Sequence, residues 1–173
     1  MLTIDLKQMI RSVPDFPKAG INFFDITTLL KDPTGLKATI DSLSAPYTST
    51  HIDAVVGIES RGFILGSAVA QCVGAGFIPV RKPGKLPAKA IKEIYELEYG
   101  KDALEIHADA IEKGQRILIV DDVLATGGTA AATTRLVRQL GGELVGLAFL
   151  IELTFLDGKS KLPGENVYSV LQY

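Results

Sequence analysis

The stretch ILIVDDVLATGGT, residues 117–129, decides how the rest of the chain is read. Ile117 to Val120 are apolar and mostly β-branched with no polar alternation, the pattern of a central strand buried on both faces. Asp121 and Asp122 stand where that strand is expected to end, and Ala125-Thr126-Gly127-Gly128-Thr129 makes a turn of small residues. Ala130–Leu140 then offers good helix formers stopped by Gly141-Gly142. Small side chains let backbone N–H groups close around an anion, and Thr126 and Thr129 add hydroxyl donors. The following helix contributes orphan N–H groups and the positive end of its dipole. The loop therefore suits a phosphate. A carboxylate repels phosphate, so the acidic pair suits vicinal hydroxyls or Mg²⁺. Phosphate and diol one loop apart describe a ribose 5-phosphate. The competing reading is an ordinary capped strand-to-helix turn, and the polar-then-small order counts against it. The chain has no G-x-x-x-x-G-K-[ST] and no G-x-G-x-x-G after a strand, which excludes a P-loop and a dinucleotide fingerprint.

Upstream, Ile52–Ile58 (IDAVVGI) reads as a second apolar strand, followed by Glu59-Ser60-Arg61-Gly62 and a helix over Phe63–Val73. This repeated strand–turn–helix predicts a second anion site, with Arg61 suited either to bidentate phosphate contact or to capping a neighbouring carboxyl. Phe77–Val80 gives a third short strand and leads into RKPGKLPAK, where Arg81, Lys82, Lys85 and Lys89 crowd together. In a chain of net charge −2, a polyphosphate partner accounts for that loop better than a solvated basic turn. Residues 90–106 alternate around Gly100-Lys101 and predict a β-hairpin, polar on both sides and mobile, suited to a lid over substrate. Glu96, Glu98 and Glu105 are by default solvated strand charges.

Farther out, Thr3 to Val13 predicts a short amphipathic helix presenting Leu6, Met9, Ile10 and Val13. PDFPKAGINFFDITTLL, residues 14–30, is irregular and carries Phe16, Phe23 and Phe24. It serves as a hydrophobic cover for a sheet edge or as an aromatic hood for a base. Asp32-Pro33 opens a helix whose apolar face is Leu36, Ile40 and Leu43, closed by Pro46. Leu144–Ile151 and Val167–Gln172 complete the strands. Strands alternating with helices specify an α/β fold of three layers around a mainly parallel sheet, with ligands beyond the carboxyl ends of the strands. The expected organisation is one domain over 1–173, with an arm and hood over roughly 1–30 and a lid hairpin over 90–107.

Composition excludes several classes. With 47% hydrophobic and 22% charged residues, the chain is globular and has no charge excess for nucleic acid. Its single cysteine, Cys72, cannot form an internal disulfide and is expected buried in an apolar helix. Asp5 interrupts the N-terminal apolar residues, so no signal peptide is expected, and no apolar run reaches membrane-spanning length; the cytoplasm is the default location. His51 and His107 lack metal or triad spacing and read as surface or structural.

The stretch IVDDVLATGGT resembles the 5-phosphoribosyl 1-pyrophosphate (PRPP) binding motif of type I phosphoribosyltransferases, and the likeness extends over nearly the full chain. The resemblance implies a Mg²⁺-dependent transfer from PRPP to adenine, giving AMP and pyrophosphate, in a homodimer whose metal is held mainly by substrate. Asp121, Asp122, Ala125, Thr126, Gly127, Gly128 and Thr129 would take the ribose and 5-phosphate. VVGIESRGF and RKPGKLP resemble the pyrophosphate segments, implicating Glu59, Ser60, Arg61, Arg81, Lys82 and Lys85. IYELEYGKDALEIH resembles the catalytic loop, placing Glu98 at the acid position with Tyr99 beside it; Arg61 joins them as a catalytic candidate that balances leaving-group charge. The hood resemblance puts Phe23 and Leu153 on opposite faces of the base and assigns edge reading to backbone groups near Ile21 and Phe24. Phe24 departs from the family pattern, where many relatives carry a basic residue. A 6-oxopurine transferase and a non-catalytic PRPP-sensing regulator are the alternatives. No lysine adjoins Phe23 or Leu153, which argues against the first, and no DNA-binding helix pair or basic face supports the second.

Overall fold

The computed structural model describes residues 4–97 and 100–173. Asp5 accepts the N–H of Lys7 and starts a 3₁₀ turn over Leu6–Met9. β1 (Arg11–Pro14) then pairs antiparallel with β2 (Asn22–Asp25), setting Arg11 opposite Asp25 and Val13 opposite Phe23. The helix expected over Thr3–Val13 is therefore reduced to one turn. So short a helix has little intrinsic stability, and the backbone around Val13 finds its partners across the hairpin instead.

After α1 (Thr27–Leu30), Asp32 caps α2 (Pro33–Ser44) by accepting the N–H groups of Thr34 and Gly35 at 2.9 and 2.8 Å. β3 (Ala54–Ile58) is buried throughout and feeds α3 (Arg61–Val73), which ends on left-handed Gly74 and returns as β4 (Gly76–Val80). β5 (Ala90–Leu97) and β6 (Gly100–His107) form the expected hairpin. β7 (Arg116–Leu124), α4 (Gly128–Gln139), β8 (Glu143–Glu152) and β9 (Val167–Gln172) complete the chain.

β4-β3-β7-β8-β9 form one sheet, and every pairing in it is parallel. The run at 117–120 explains both faces. Ile117 and Ile119 pack with Ala132, Leu136 and Val137 of α4, while Leu118 and Val120 pack with Ile40 and Leu43 of α2 and Leu65 and Val69 of α3. Each face thus buries alternate residues of one strand. β7 does not stop at the aspartates. It continues to Leu124 because Val123 and Leu124 pair with Ile151 and Glu152 of β8.

Two other expectations are corrected. The hairpin is not polar on both sides: Tyr95, Leu104 and Ile106 are buried against the face that α4 covers, while Ile94 on the other face is exposed. Glu93 and Asp102 on that inner face disguise it in the sequence. Both are neutralised, Glu93 by Arg135 of α4 and Asp102 by Lys82. Cys72 is exposed, because α3 turns Leu65, Val69 and Ala70 to the core and leaves Cys72 beside Gln71 on its outer side.

β3 connects through α3 to β4 on one side, and β7 connects through α4 to β8 on the other. The order reverses between β3 and β7, and a crevice opens there at the carboxyl edge. Both polar turns lie at it.

Candidate functional site

The turn after β7 is built for close approach. Gly127 has φ +79, and a Cβ there would lie 2.2 Å from the carbonyl oxygen of Gly158. Only glycine fits. A Cβ on Gly128 would lie 3.2 Å from the Tyr95 ring. Among the described residues, no group accepts a hydrogen bond from the N–H of Ala125, Thr126, Gly127, Gly128 or Thr129. Those donors, at the start of α4, are what an oxyanion would take. The Thr129 hydroxyl donates to Tyr95 at 3.3 Å.

The turn after β3 repeats the design. Its Glu59–Ser60 peptide bond is cis. Among the described residues, the N–H groups of Ser60, Arg61 and Gly62 likewise have no acceptor. The turn after β3 meets β7 in an ion pair, Arg61 Nε donating to Asp122 Oδ2, so Arg61 takes the carboxyl-capping geometry in this structure. Asp122 is buried, and Asp121 accepts its neighbour's N–H at 2.9 Å while lying against Gly62 of α3. Burial, reinforced by the charge of Asp122, holds Asp121 well above the usual carboxylate range. Burial also works against the charge on Arg61, but Asp122, Asp121 and Asp25 more than offset it and raise its pKa.

Glu59 gathers the basic loop. Its carboxylate accepts Arg81 Nε at 3.3 Å, the Lys82 N–H at 3.0 Å and Lys85 Nζ. Burial opposes ionisation of Glu59, but these donors win and pull its pKa down to about 2. The side chain of Lys82 turns away, to Asp102 and the Tyr95 hydroxyl on the hairpin.

The hood places Phe23 against the same crevice, with the Arg61 guanidinium 5.8 Å from its ring and Phe16 edge-on at 5.3 Å. Phe24 turns instead to Tyr173, with ring centroids 4.0 Å apart. The backbone of Ile21 is engaged within the hood turn, its N–H on Lys18 and its carbonyl on Phe16. Leu153 follows β8 at the carboxyl edge, its N–H held by Leu124 at 2.9 Å. Glu98 and Tyr99 lie outside the described residues. The sequence reading missed Tyr95, Asp102 and Gly158. Counting back from the Gly100 turn sets Tyr95 opposite Asp102, a signal present in the sequence; nothing local marks Gly158.

Comparison with known proteins gives a consistent answer. The family described as "Phosphoribosyl transferase domain" matches residues 26–171. The chain is 60% identical to an adenine phosphoribosyltransferase of Solibacter usitatus over 169 residues, covering 98% of each chain. A crystal structure of adenine phosphoribosyltransferase from Rhodothermus marinus superposes with a TM-score of 0.93 at 58% identity, covering 97% of this chain and 96% of that one. The Saccharomyces cerevisiae enzyme, solved with an imino-altritol bisphosphate and adenine, superposes with a TM-score of 0.91 at 44% identity, covering 96% of each.

Proposed function

The chain belongs to the phosphoribosyltransferase family, and on that premise we propose that it transfers the phosphoribosyl group of PRPP to adenine, releasing AMP and pyrophosphate. One observation carries the reading: the buried Asp122 and its half-buried neighbour Asp121 stand between two turns whose N–H groups have no protein acceptor among the described residues. The turn at 125–129 takes the 5-phosphate. Asp121 and Asp122 take the ribose hydroxyls. The turn at Glu59–Gly62, with Arg61, Arg81, Lys82 and Lys85, takes the pyrophosphate, and ribose C1 then faces the hood.

In the transfer, adenine N9 bonds to C1 as the C1–oxygen bond breaks, its electron pair leaving with pyrophosphate, and the proton that the base loses at N9 leaves with the released pyrophosphate. The cations around Glu59 balance that charge. The hairpin excludes water from C1 while oxocarbenium character develops. Glu98, protonated in the closed site, donates to adenine N7, with Tyr99 beside it; an unchanged turnover in Glu98→Gln would remove it from the mechanism. One such acid contributes about 10²–10⁴-fold. The donor set fits a substrate-borne metal: Asp121 and Asp122 offer hard oxygens, and among the described residues no third acidic, histidine or cysteine side chain joins them. Asp121 and Asp122 would help hold a Mg²⁺ carried in on the substrate, and that ion would supply charge neutralisation for the leaving pyrophosphate.

A homodimer in the cytoplasm completes the reading. The apolar groove of Ile64, Ala68, Leu36 and Ile40 on the outer side of α2 and α3 suits a second copy, and among the described residues no helix is long and apolar enough to cross a membrane. Incubation with PRPP, Mg²⁺ and each purine base in turn is the test. AMP and pyrophosphate formed from adenine alone are expected. Product from hypoxanthine or xanthine instead would make the chain a 6-oxopurine transferase, and PRPP binding without product from any base would make it a sensor.

A further inference from the structure

Lys82 belongs to the basic loop, yet its ammonium group does not join Arg81 and Lys85 on Glu59. It lies instead on Asp102 of β6 and donates to the Tyr95 hydroxyl of β5 at 3.3 Å. Tyr95 in turn donates to Asp102 at 3.1 Å and accepts from Thr129 of the phosphate turn at 3.3 Å. One buried phenol therefore touches a donor from each anion-binding segment, and one carboxylate of the hairpin holds both the phenol and the lysine. We propose that Asp102 is an internal anion that competes with pyrophosphate for Lys82, and that Tyr95 is the positioning residue through which this competition also reaches Thr129.

The proposal rests on the reading of Lys82 as a pyrophosphate-binding residue. Lys82 cannot direct its charge fully at two anions, because its three N–H donors point apart on a single short head group. Without Lys82, Asp102 keeps the Tyr95 hydroxyl at 3.1 Å and the Ala103 N–H at 2.8 Å as donors. The part-buried site favours the pair, since burial works against the Lys82 charge but the bonds from Asp102 and Tyr95 more than restore it. When pyrophosphate draws Lys82 across, the hairpin loses that ion pair while the Arg81–Glu105 backbone bonds and the Gly84 N–H on Glu105 still hold it to the basic loop, and when Thr129 turns to a 5-phosphate, Tyr95 is left to Asp102 and Lys82. The Lys82–Asp102 pair and anion binding are thereby set against each other.

The experiment is calorimetric titration of the full chain with pyrophosphate, and separately with PRPP, in wild type, Asp102→Asn, Lys82→Met and the double variant, with steady-state kinetics alongside. Asp102→Asn is expected to tighten pyrophosphate about three- to fivefold, the size of a part-exposed ion pair, and to lower the KM for PRPP more than it changes kcat. In the Lys82→Met background the same substitution should do nothing. Equal tightening there would show general charge repulsion and overturn the proposal, as would unchanged or weaker binding in Asp102→Asn alone. Tyr95→Phe, which keeps the ring in place, should tighten pyrophosphate in the same direction by less; unchanged or weaker binding there also overturns it, whether or not Asp102→Asn folds. Wild-type protein that binds neither pyrophosphate nor PRPP would instead overturn the underlying reading of the site.

Discussion

At Gly127 two constraints fall on one backbone position: φ is +79, and the space a Cβ would fill holds the Gly158 carbonyl. Left-handed backbone alone costs a side chain about 1–2 kcal/mol, and backbone against backbone cannot yield as a side chain would. Gly127→Ala is expected to destabilise the fold by at least about 2 kcal/mol in urea unfolding and to weaken PRPP binding. Glu59 makes a second prediction. Its folded pKa of about 2 lies below the ordinary 4.5, so its ionised form contributes stability that is present above pH 4.5 and lost as pH falls toward 2. The stability difference between wild type and Glu59→Gln should shrink steadily over that window. A constant difference would show that the cations around Glu59 do not depend on its charge.

At the scale of elements, the hairpin is the part whose character the fold changes most. A two-stranded ribbon is marginal alone, and here it borrows stability from its neighbours. Arg81 and Glu105 exchange backbone hydrogen bonds at 2.9 and 2.8 Å, joining β6 to the end of β4. Glu93 accepts from Arg135 and Gln139 of α4. Leu104 and Ile106 are fully buried beneath it. Leu104→Ala should cost about 2–5 kcal/mol and speed amide exchange across both hairpin strands. A loss below about 1 kcal/mol would mean that the hairpin is held by its ion pairs rather than by its apolar face.

For the whole molecule, the parallel sheet sends every carboxyl end to one edge, and the reversal of order between β3 and β7 turns two separate turns into one crevice. The opposite consequence is an outer surface on α2 and α3 where Ile64 is 49% exposed. If that surface joins two copies, Ile64→Lys should shift sedimentation from dimer toward monomer at micromolar concentration. Unchanged sedimentation would place the interface elsewhere.

The sequence by itself determined the sheet's core strands, both polar turns and the chemistry they suit, because apolar periodicity, glycine placement and residue type are local properties. Ile117 to Val120 read as a buried strand, and Asp121-Asp122 before a small-residue bend suited a diol beside an anion. Tertiary structure alone decided which groups hold which. Arg61 lies 61 residues from Asp122, yet the pairing of β3 with β7 makes them neighbours. Cys72 faced outward once α3 had chosen its buried side, and Thr3–Val13 lost its helix to a strand partner. The hairpin read as polar on both sides until Arg135 and Lys82, arriving from elsewhere in the chain, paired Glu93 and Asp102 on its inner face. Charge pairing and burial depend on what the fold brings alongside, and no spacing along a single segment encodes that.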